Sequence, residues 1–326
     1  MTKSIADQVR SSIPPNIRGG LYYAIHFLVV SMFFSYVGVA YIERGMSGVQ
    51  LGTLNSIGSI IMLFATPLLS GIADRKGWHL PFLAIGNVLY GIGMMAINFA
   101  PNFAMLAMIS AIAAFVKAPT NPIGEGLVIR MANKYGLNFG AIRIWGSISF
   151  TIFCISAGWL WDVIGLEWLF WIGGALFFLR AFMSLILEPI GEKGEAAAKK
   201  EKPAKGDWLS PFKDKFFLIY LIGMVLWGCS MNGYFGYISI YINQLTDSNL
   251  LVGIAVALPA ITEIPSVMYG DRLIKKIGML PTVMIGIGTV VIVSFIVAFT
   301  YNAVLVIILN SIRGLAFGFW IVVGIR

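Results

Sequence analysis

The sequence predicts an all-α membrane protein made of two helical bundles, the second shorter than the first, and three observations carry this. Of its residues 58% are hydrophobic and 12% charged, with a mean hydropathy of +0.85, a balance that soluble domains do not show. The apolar residues gather into runs of about 20, long enough for a helix to cross a hydrocarbon core of about 30 Å. The chain also resembles itself at an offset of about 200 residues, as parallel repeats of several spans do.

The first ~19 residues are polar and carry Lys3, Arg10 and Arg18. The apolar run after them is too long for the core of a signal peptide and lacks a small-residue cleavage site, so it reads as a retained first span. Ten runs follow one another at 20–42, 50–72, 80–99, 103–130, 141–161, 167–187, 216–242, 250–270, 280–299 and 303–325. Short loops join most of them, which makes successive spans antiparallel neighbours. With a cytoplasmic N-terminus, Arg44 is the one basic residue on the outer side, and Lys117, Arg180 and Arg313 lie within spans. All other Lys and Arg are then cytoplasmic, so the positive-inside rule orients a multi-pass protein of the inner or plasma membrane. The net charge of +8 suits anionic inner-leaflet lipid and calls for no nucleic acid.

The charged, Ala- and Gly-rich stretch from Glu188 to Lys215 cannot bury a core and reads as a solvated cytoplasmic linker. It divides the chain into a six-helix bundle (1–190), the linker proper (191–212) and a partial second bundle of four helices (213–326). Across it Ser31-Met32 answers to Ser230-Met231, Tyr41-Ile42 to Tyr241-Ile242, and Leu51-Gly52 to Val252-Gly253. Pro67 and Pro81 bracket a basic loop, as do Pro265 and Pro281. Residue 326 corresponds to about residue 126, so two further helices are expected of the second half.

Enzymatic classes find little support. Cys154 and Cys229 both fall in apolar runs, and His26 and His79 are far apart, so neither a metal site nor a cofactor is indicated. There is no Walker loop, no HExxH and no nucleophile with a base and an orienting partner. Charged residues at membrane depth are the informative ones, since each costs several kcal/mol unless it pairs or lines a wet cavity. Glu125 and Arg143 stand near the facing ends of neighbouring spans and together could grip a polar solute. The plainer alternative is a loop Glu and an Arg that snorkels to the headgroups. Lys117, two turns before Glu125, either faces the cavity or snorkels. Trp145 either stacks on a ring of the solute or anchors at the interface. Arg180, near the cytoplasmic end of its span, is expected to snorkel, and His26 to be a packing residue. Arg313 and Glu263 have no exposed alternative as clear.

Between the second and third spans lies Gly71-Ile72-Ala73-Asp74-Arg75-Lys76-Gly77, which resembles the G-x-x-x-D-[RK]-x-G loop of the major facilitator superfamily. A looser copy, with Asp271, Arg272 and Gly278, stands at the matching place of the second half. The resemblance implies the major facilitator fold, two six-helix bundles with the second cut here to about four helices. It makes Gly71, Asp74, Arg75, Gly77, Asp271 and Arg272 parts of a conformational gate, with Asp74 pairing with a basic group or capping a helix. Further on, Phe139-Gly140 through Arg143, Trp145, Gly146 and Ser147 is similar to the fifth-helix entrance of the lactose-permease and phenylpropionate-permease-like proton symporters. In that group a Glu lies eighteen residues before the Arg, as Glu125 does here, which implies that Glu125 and Arg143 bind substrate. Where the group carries His and a proton-carrying Glu in its tenth helix, this chain has Arg313 and Ala316. Glu263 is then the remaining membrane-depth carboxylate for a proton, with Arg313 beside the coupling route.

The reading that results is a monomeric, proton-coupled alternating-access symporter whose partners are a small solute, protons and membrane lipid. A Glu beside an Arg favours a sugar, an oligosaccharide or a nucleoside-like solute. Lys117 and Arg313 leave an organic-anion carrier, for instance of aromatic acids, as the alternative. A non-transporting membrane sensor or scaffold of the same fold is the third.

Overall fold

The computed structural model describes residues 10, 12–189 and 210–324, and all regular structure among them is helical. Among the described residues, nine helices are long and apolar enough to span a membrane. They run Pro15–Glu43 (span one), Gly48–Lys76 (two), His79–Phe99 (three), Phe103–Lys134 (four), Phe139–Ile164 (five), Leu166–Ser184 (six), Phe217–Thr246 (seven), Asn249–Ser266 (eight) and Met279–Ala298 (nine). Span eight continues helically to Ile277, and a tenth helix occupies Ala303–Gly324. Large apolar side chains such as Leu63, Phe64 and Leu280 stand 68–70% exposed on the outer faces. Such surface is a liability in water, but lipid is its natural solvent. The protein is an all-α, multi-pass membrane protein.

The self-resemblance of the sequence extends to how the helices begin and end. Span two and the helix of span eight are each 29 residues long, capped by Ser47 and Ser248 and closed by Gly77 and Gly278. Each Ser accepts from a backbone N–H in the first turn, satisfying a donor the helix cannot. Gly77 and Gly278 take φ of +69° and +92°, values that a side chain disfavours. Asn102 and Asn302 likewise cap the helices that follow, at Met105 and Leu305.

Proline breaks set the shape of the spans around the interior. Pro122 has no N–H to offer the carbonyl four residues back. That carbonyl, of Ala118, instead accepts from Thr66 Oγ1 of span two at 3.3 Å, and span four is interrupted there into Phe103–Lys117 and Thr120–Lys134. In span eight Pro259 frees the Ala255 carbonyl, which accepts from Asn310 Nδ2 of the tenth helix at 2.7 Å. The tenth helix approaches span eight at Gly314, where a Cβ would run into Thr262 and Pro259. Span one carries a π-helical turn over Val30–Phe34 before resuming at Val37.

The interior of the first bundle is aromatic. Phe33, Phe170 and Phe177 are fully buried and meet edge to face with centroids about 6 Å apart. Tyr90 closes on Phe177 at 4.5 Å.

The sequence places Glu188 at the start of a solvated linker, and here the structure differs. Glu188 accepts from Arg18 at 3.2 Å, from Lys134 at 2.8 Å and from the Tyr135 hydroxyl. It ties the starts and ends of spans one, four and six together, because the buried Arg18 (3% exposed) needs an anion within reach. Most of the linker, 190–209, lies outside the described residues.

Candidate functional site

Spans one, four, five and six converge on a pocket of about 190 Å³ whose lining includes Tyr23, His26, Asn121, Glu125, Arg143 and Arg180. Asn121 and Glu125 are one helical turn apart and so share a face of span four. Arg143 enters from the start of span five. Glu125 and Arg143 are both exposed to the opening, and among the described residues no ion pair joins them within 4.0 Å. A hydrated pocket removes the need for direct pairing, so the expected contact is replaced by two charges that face the same space.

Arg180 is the side chain that the sequence misplaces. Instead of snorkelling it is 1% exposed, lines the pocket and donates from Nη2 to Asn121 Oδ1 at 2.9 Å. The helical period carried the signal: Gly173, Phe177, Arg180, Ala181 and Ser184 are all buried on one face of span six. His26 stacks with Tyr22 and meets Phe27 edge-on at 5.0 Å, and it lines the pocket as well as packing.

A second cavity of about 360 Å³ lies between the two halves, lined by Phe34, Ser35 and Phe150 on one side and Glu263, Asn310 and Arg313 on the other. Phe27 of the first pocket touches Phe150 of the second edge-on at 6.2 Å, so one aromatic pair separates the two spaces. Arg313 is 3% exposed and held from three directions. Its Nε donates to Asn310 Oδ1 at 3.1 Å, and its guanidinium lies 4.0 Å over Tyr234 and 4.4 Å over Phe235. Asn310 is itself anchored on the carbonyl that Pro259 frees, so a proline in span eight orients an arginine in the tenth helix. Glu263, half-buried, is within electrostatic reach of Arg143 across the interface.

The remaining positions fall elsewhere. Lys117 lines neither cavity; its ammonium lies 3.7 Å over Phe34 and 4.9 Å over Tyr90, a cation satisfied by ring faces. Trp145 packs on Gly20 of span one and is 44% exposed. Two residues beyond Arg143 on a helix, it points about 200° away from it. Asp74 pairs with His79 Nε2 at 2.8 Å, and Lys76 lies 4.3 Å over Trp78. Arg75 is exposed, and the Cβ position of Gly71 has no neighbour within 4 Å; the ion pair of this segment joins the end of span two to the start of span three. Arg272 lies 5.4 Å over Tyr269; the side chain of Asp271 is outside the described residues.

The two halves also meet away from the cavities, where Asp162 of span five reaches the start of span eight and Gly253 of span eight backs onto the Cys154 carbonyl and the Tyr36 hydroxyl, themselves joined at 2.7 Å within the first half. Sequence reasoning passed over Asp162, although it lies four residues beyond the close-packing Gly158 and thus on the same face.

Helical halves meeting around a polar interior define the class: a membrane protein of the major facilitator fold. The MFS_1 like family matches residues 18–326, and the chain belongs to that family. It is 26% identical over 262 residues to the maltose permease of Geobacillus stearothermophilus, covering 79% of this chain and 65% of the permease. It is 24% identical over 246 residues to the uncharacterized transporter YwbF of Bacillus subtilis (strain 168), covering 76% and 60%. The matched stretch is thus less than two thirds of the length of either relative. Among solved structures, the nucleoside transporter NupG superposes with a TM-score of 0.75 at 19% identity, over 96% of this chain and 81% of that one. A bacterial homolog of the human lysosomal transporter Spinster does so with 0.65 at 13%, over 99% and 75%.

Proposed function

We propose that the protein is a secondary active carrier that moves a small sugar or nucleoside-like solute by alternating access, coupled to protons, with its N-terminus in the cytoplasm of the cell. The observation that carries this reading is the placement of opposed charges on either side of the bundle interface. Glu125 and Arg143 face one pocket, and Glu263 lies across the interface within the field of Arg143. A solute held by Glu125 and Arg143 would alter the field at Glu263, which is the physical requirement for coupling its binding to a proton. The maltose permease and the nucleoside transporter among the similar proteins support the choice of solute class. Lys117, held between rings, and Arg313, oriented by Asn310, belong to the surroundings of the two cavities. The Asp74 and Arg272 loops serve as the cytoplasmic gate.

The test is uptake of labelled maltose and uridine into proteoliposomes with an inward proton gradient. Accumulation that collapses with the gradient and with Glu125→Gln is expected. Uptake indifferent to Glu125 would overturn the assignment, and no uptake of any solute would leave the sensor reading.

A further inference from the structure

Arg180 is among the largest fully buried side chains of the protein, yet among the described residues its one hydrogen-bond partner is the neutral amide of Asn121. Its Nε is buried without a partner, and none of the described ion pairs includes it. A guanidinium cannot shed its proton, and a buried charge with no counter-charge is strongly unfavourable. Two further polar atoms in the same pocket are buried and unpartnered: the hydroxyl of Tyr23, a residue 5% exposed, and Nδ1 of His26. All three come from side chains that line one small space. With Arg143 also present, the pocket lining holds two fixed cations against the single carboxylate of Glu125.

The pocket's size adds to this. At about 190 Å³ it falls below the roughly 300–1,000 Å³ of sites that enclose a whole ligand, so it takes one end of a solute. A planar carboxylate matches the fork of a guanidinium and can accept from a phenol at the same time. Glu125 lies one turn from Asn121, about 6 Å along the helix. A carboxylate at Arg180 therefore leaves hydroxyl groups on the rest of the solute near Glu125, without bringing two carboxylates into contact.

Resting on the carrier reading, we propose that Arg180, oriented by Asn121 and joined by Tyr23 and His26, is a specificity-determining subsite for a carboxylate. Within the sugar-like solutes of that reading, the subsite then favours a hydroxyl-bearing acid, such as a sugar acid, over the corresponding neutral sugar. Binding is tested on the purified chain by thermal shift, because a ligand that prefers the folded state raises its apparent stability. The probes are D-glucuronate and D-glucose, which differ at C6 by a carboxylate in place of a hydroxymethyl. Glucuronate should stabilise the protein at concentrations at least tenfold lower than glucose. Arg180→Gln should remove that preference at least tenfold, and Arg180→Lys should keep part of it. Asn121→Ala, at an exposed position, should weaken the preference without disturbing packing, which keeps the test open if the arginine variants misfold. Equal shifts from the two probes, no shift from either, or a preference untouched by Asn121→Ala and the folded arginine variants would overturn the proposal. Binding is read without transport: absent uptake would sink the carrier reading alone, and absent discrimination would sink this one alone.

Discussion

Asp162 Oδ1, near the end of span five, accepts a hydrogen bond of 2.7 Å from the backbone N–H of Asn249, the first residue of span eight. Its other oxygen accepts from the Leu250 N–H at 3.0 Å and the Ser248 hydroxyl at 3.1 Å. A carboxylate of the first half thus satisfies the free N–H groups and the positive end of a helix in the second half. Gly158, one turn earlier, lets the backbones meet: a Cβ there would lie 2.8 Å from Leu250 Cα. Between them these residues join the two halves at the C-terminal end of span five. A charge-assisted bond of this kind contributes about 1.5–3 kcal/mol.

Loss of that contact should be readable at Cys154, which is fully buried beneath it while Cys229 is exposed. In a Cys229→Ser background, Asp162→Ala should speed N-ethylmaleimide labelling of Cys154 by roughly tenfold or more, the equivalent of about 1.4 kcal/mol in the opening equilibrium. Labelling at the parental rate would show that the contact does not hold the two halves together.

Gly253 offers an independent check on the same closure. Its Cβ position falls on the Cys154 carbonyl and the Tyr36 hydroxyl, so Gly253→Val should prevent the halves from meeting and expose Cys154 by a steric route. The two variants together should be no faster than the faster one alone, since residues in one contact are not additive. A full product of the two effects would mean that two separate contacts are being read.

How much of this was legible in the sequence varies by element. The spans and the glycines that end the helices of spans two and eight follow from hydropathy and from residues that allow few conformations, and the sequence placed them. Glu125 and Arg143 could be singled out because isolated charges in apolar runs are conspicuous. Arg180 and Asp162 are equally charged, but their roles depend on which helix face meets which neighbour. For Arg180 the buried period of span six held that information. For Asp162 the partner is a backbone, and no side-chain pattern marks a backbone donor. The direction of Trp145 was available from helical geometry once Arg143 was set facing inward. Glu188 was hidden by its setting, since an acidic residue at the edge of a charged stretch looks like part of it.

The Glu188 network makes a prediction about pH. Burial alone pushes its carboxyl up, but hydrogen bonds from Lys134, Tyr135 and Arg18 outweigh this and hold it below its ordinary value of 4.5. A carboxylate with a lowered folded pKa stabilises the fold above its unfolded value and loses that contribution as pH falls through the folded one. Glu188→Gln should therefore lower the apparent Tm at pH 7, by an amount matching about 1–2 kcal/mol. The gap to the parent should narrow as pH drops below about 4.5. A gap that stays constant or widens on acidification would rule out an ionised Glu188 as the source.

The carbonyl of Ala255, freed by Pro259, is satisfied by Asn310, which also holds Arg313 Nε. Asn310→Leu keeps the volume but strands a buried acceptor and a buried donor, at a cost of about 1–3 kcal/mol for each. A fall of several degrees in apparent Tm is expected. Restoring the proline's missing donor with Pro259→Ala in the Asn310→Leu background should recover part of it, because the helix can then satisfy Ala255 itself. No recovery would place the damage at Arg313 alone.

The last prediction separates the proton from the solute. Glu263 lines the cavity between the halves with Arg313 and lies within the field of Arg143, whereas Glu125 lines the first pocket with Arg143 and Arg180. Neither carboxylate has an ion-pair partner within 4.0 Å among the described residues, so each is free to exchange its partner for water, a proton or a ligand group. If Glu263 carries the proton, Glu263→Gln fixes the neutral form and removes the step at which proton and solute are linked. Solute-for-solute exchange across proteoliposomes should continue, while accumulation against a gradient should fall to the passive level. Glu125→Gln should instead weaken binding itself, by tenfold or more for a lost charge-assisted bond, and reduce exchange and accumulation alike. Uphill accumulation surviving in Glu263→Gln would move the proton to Glu125 or show that a different ion drives the carrier.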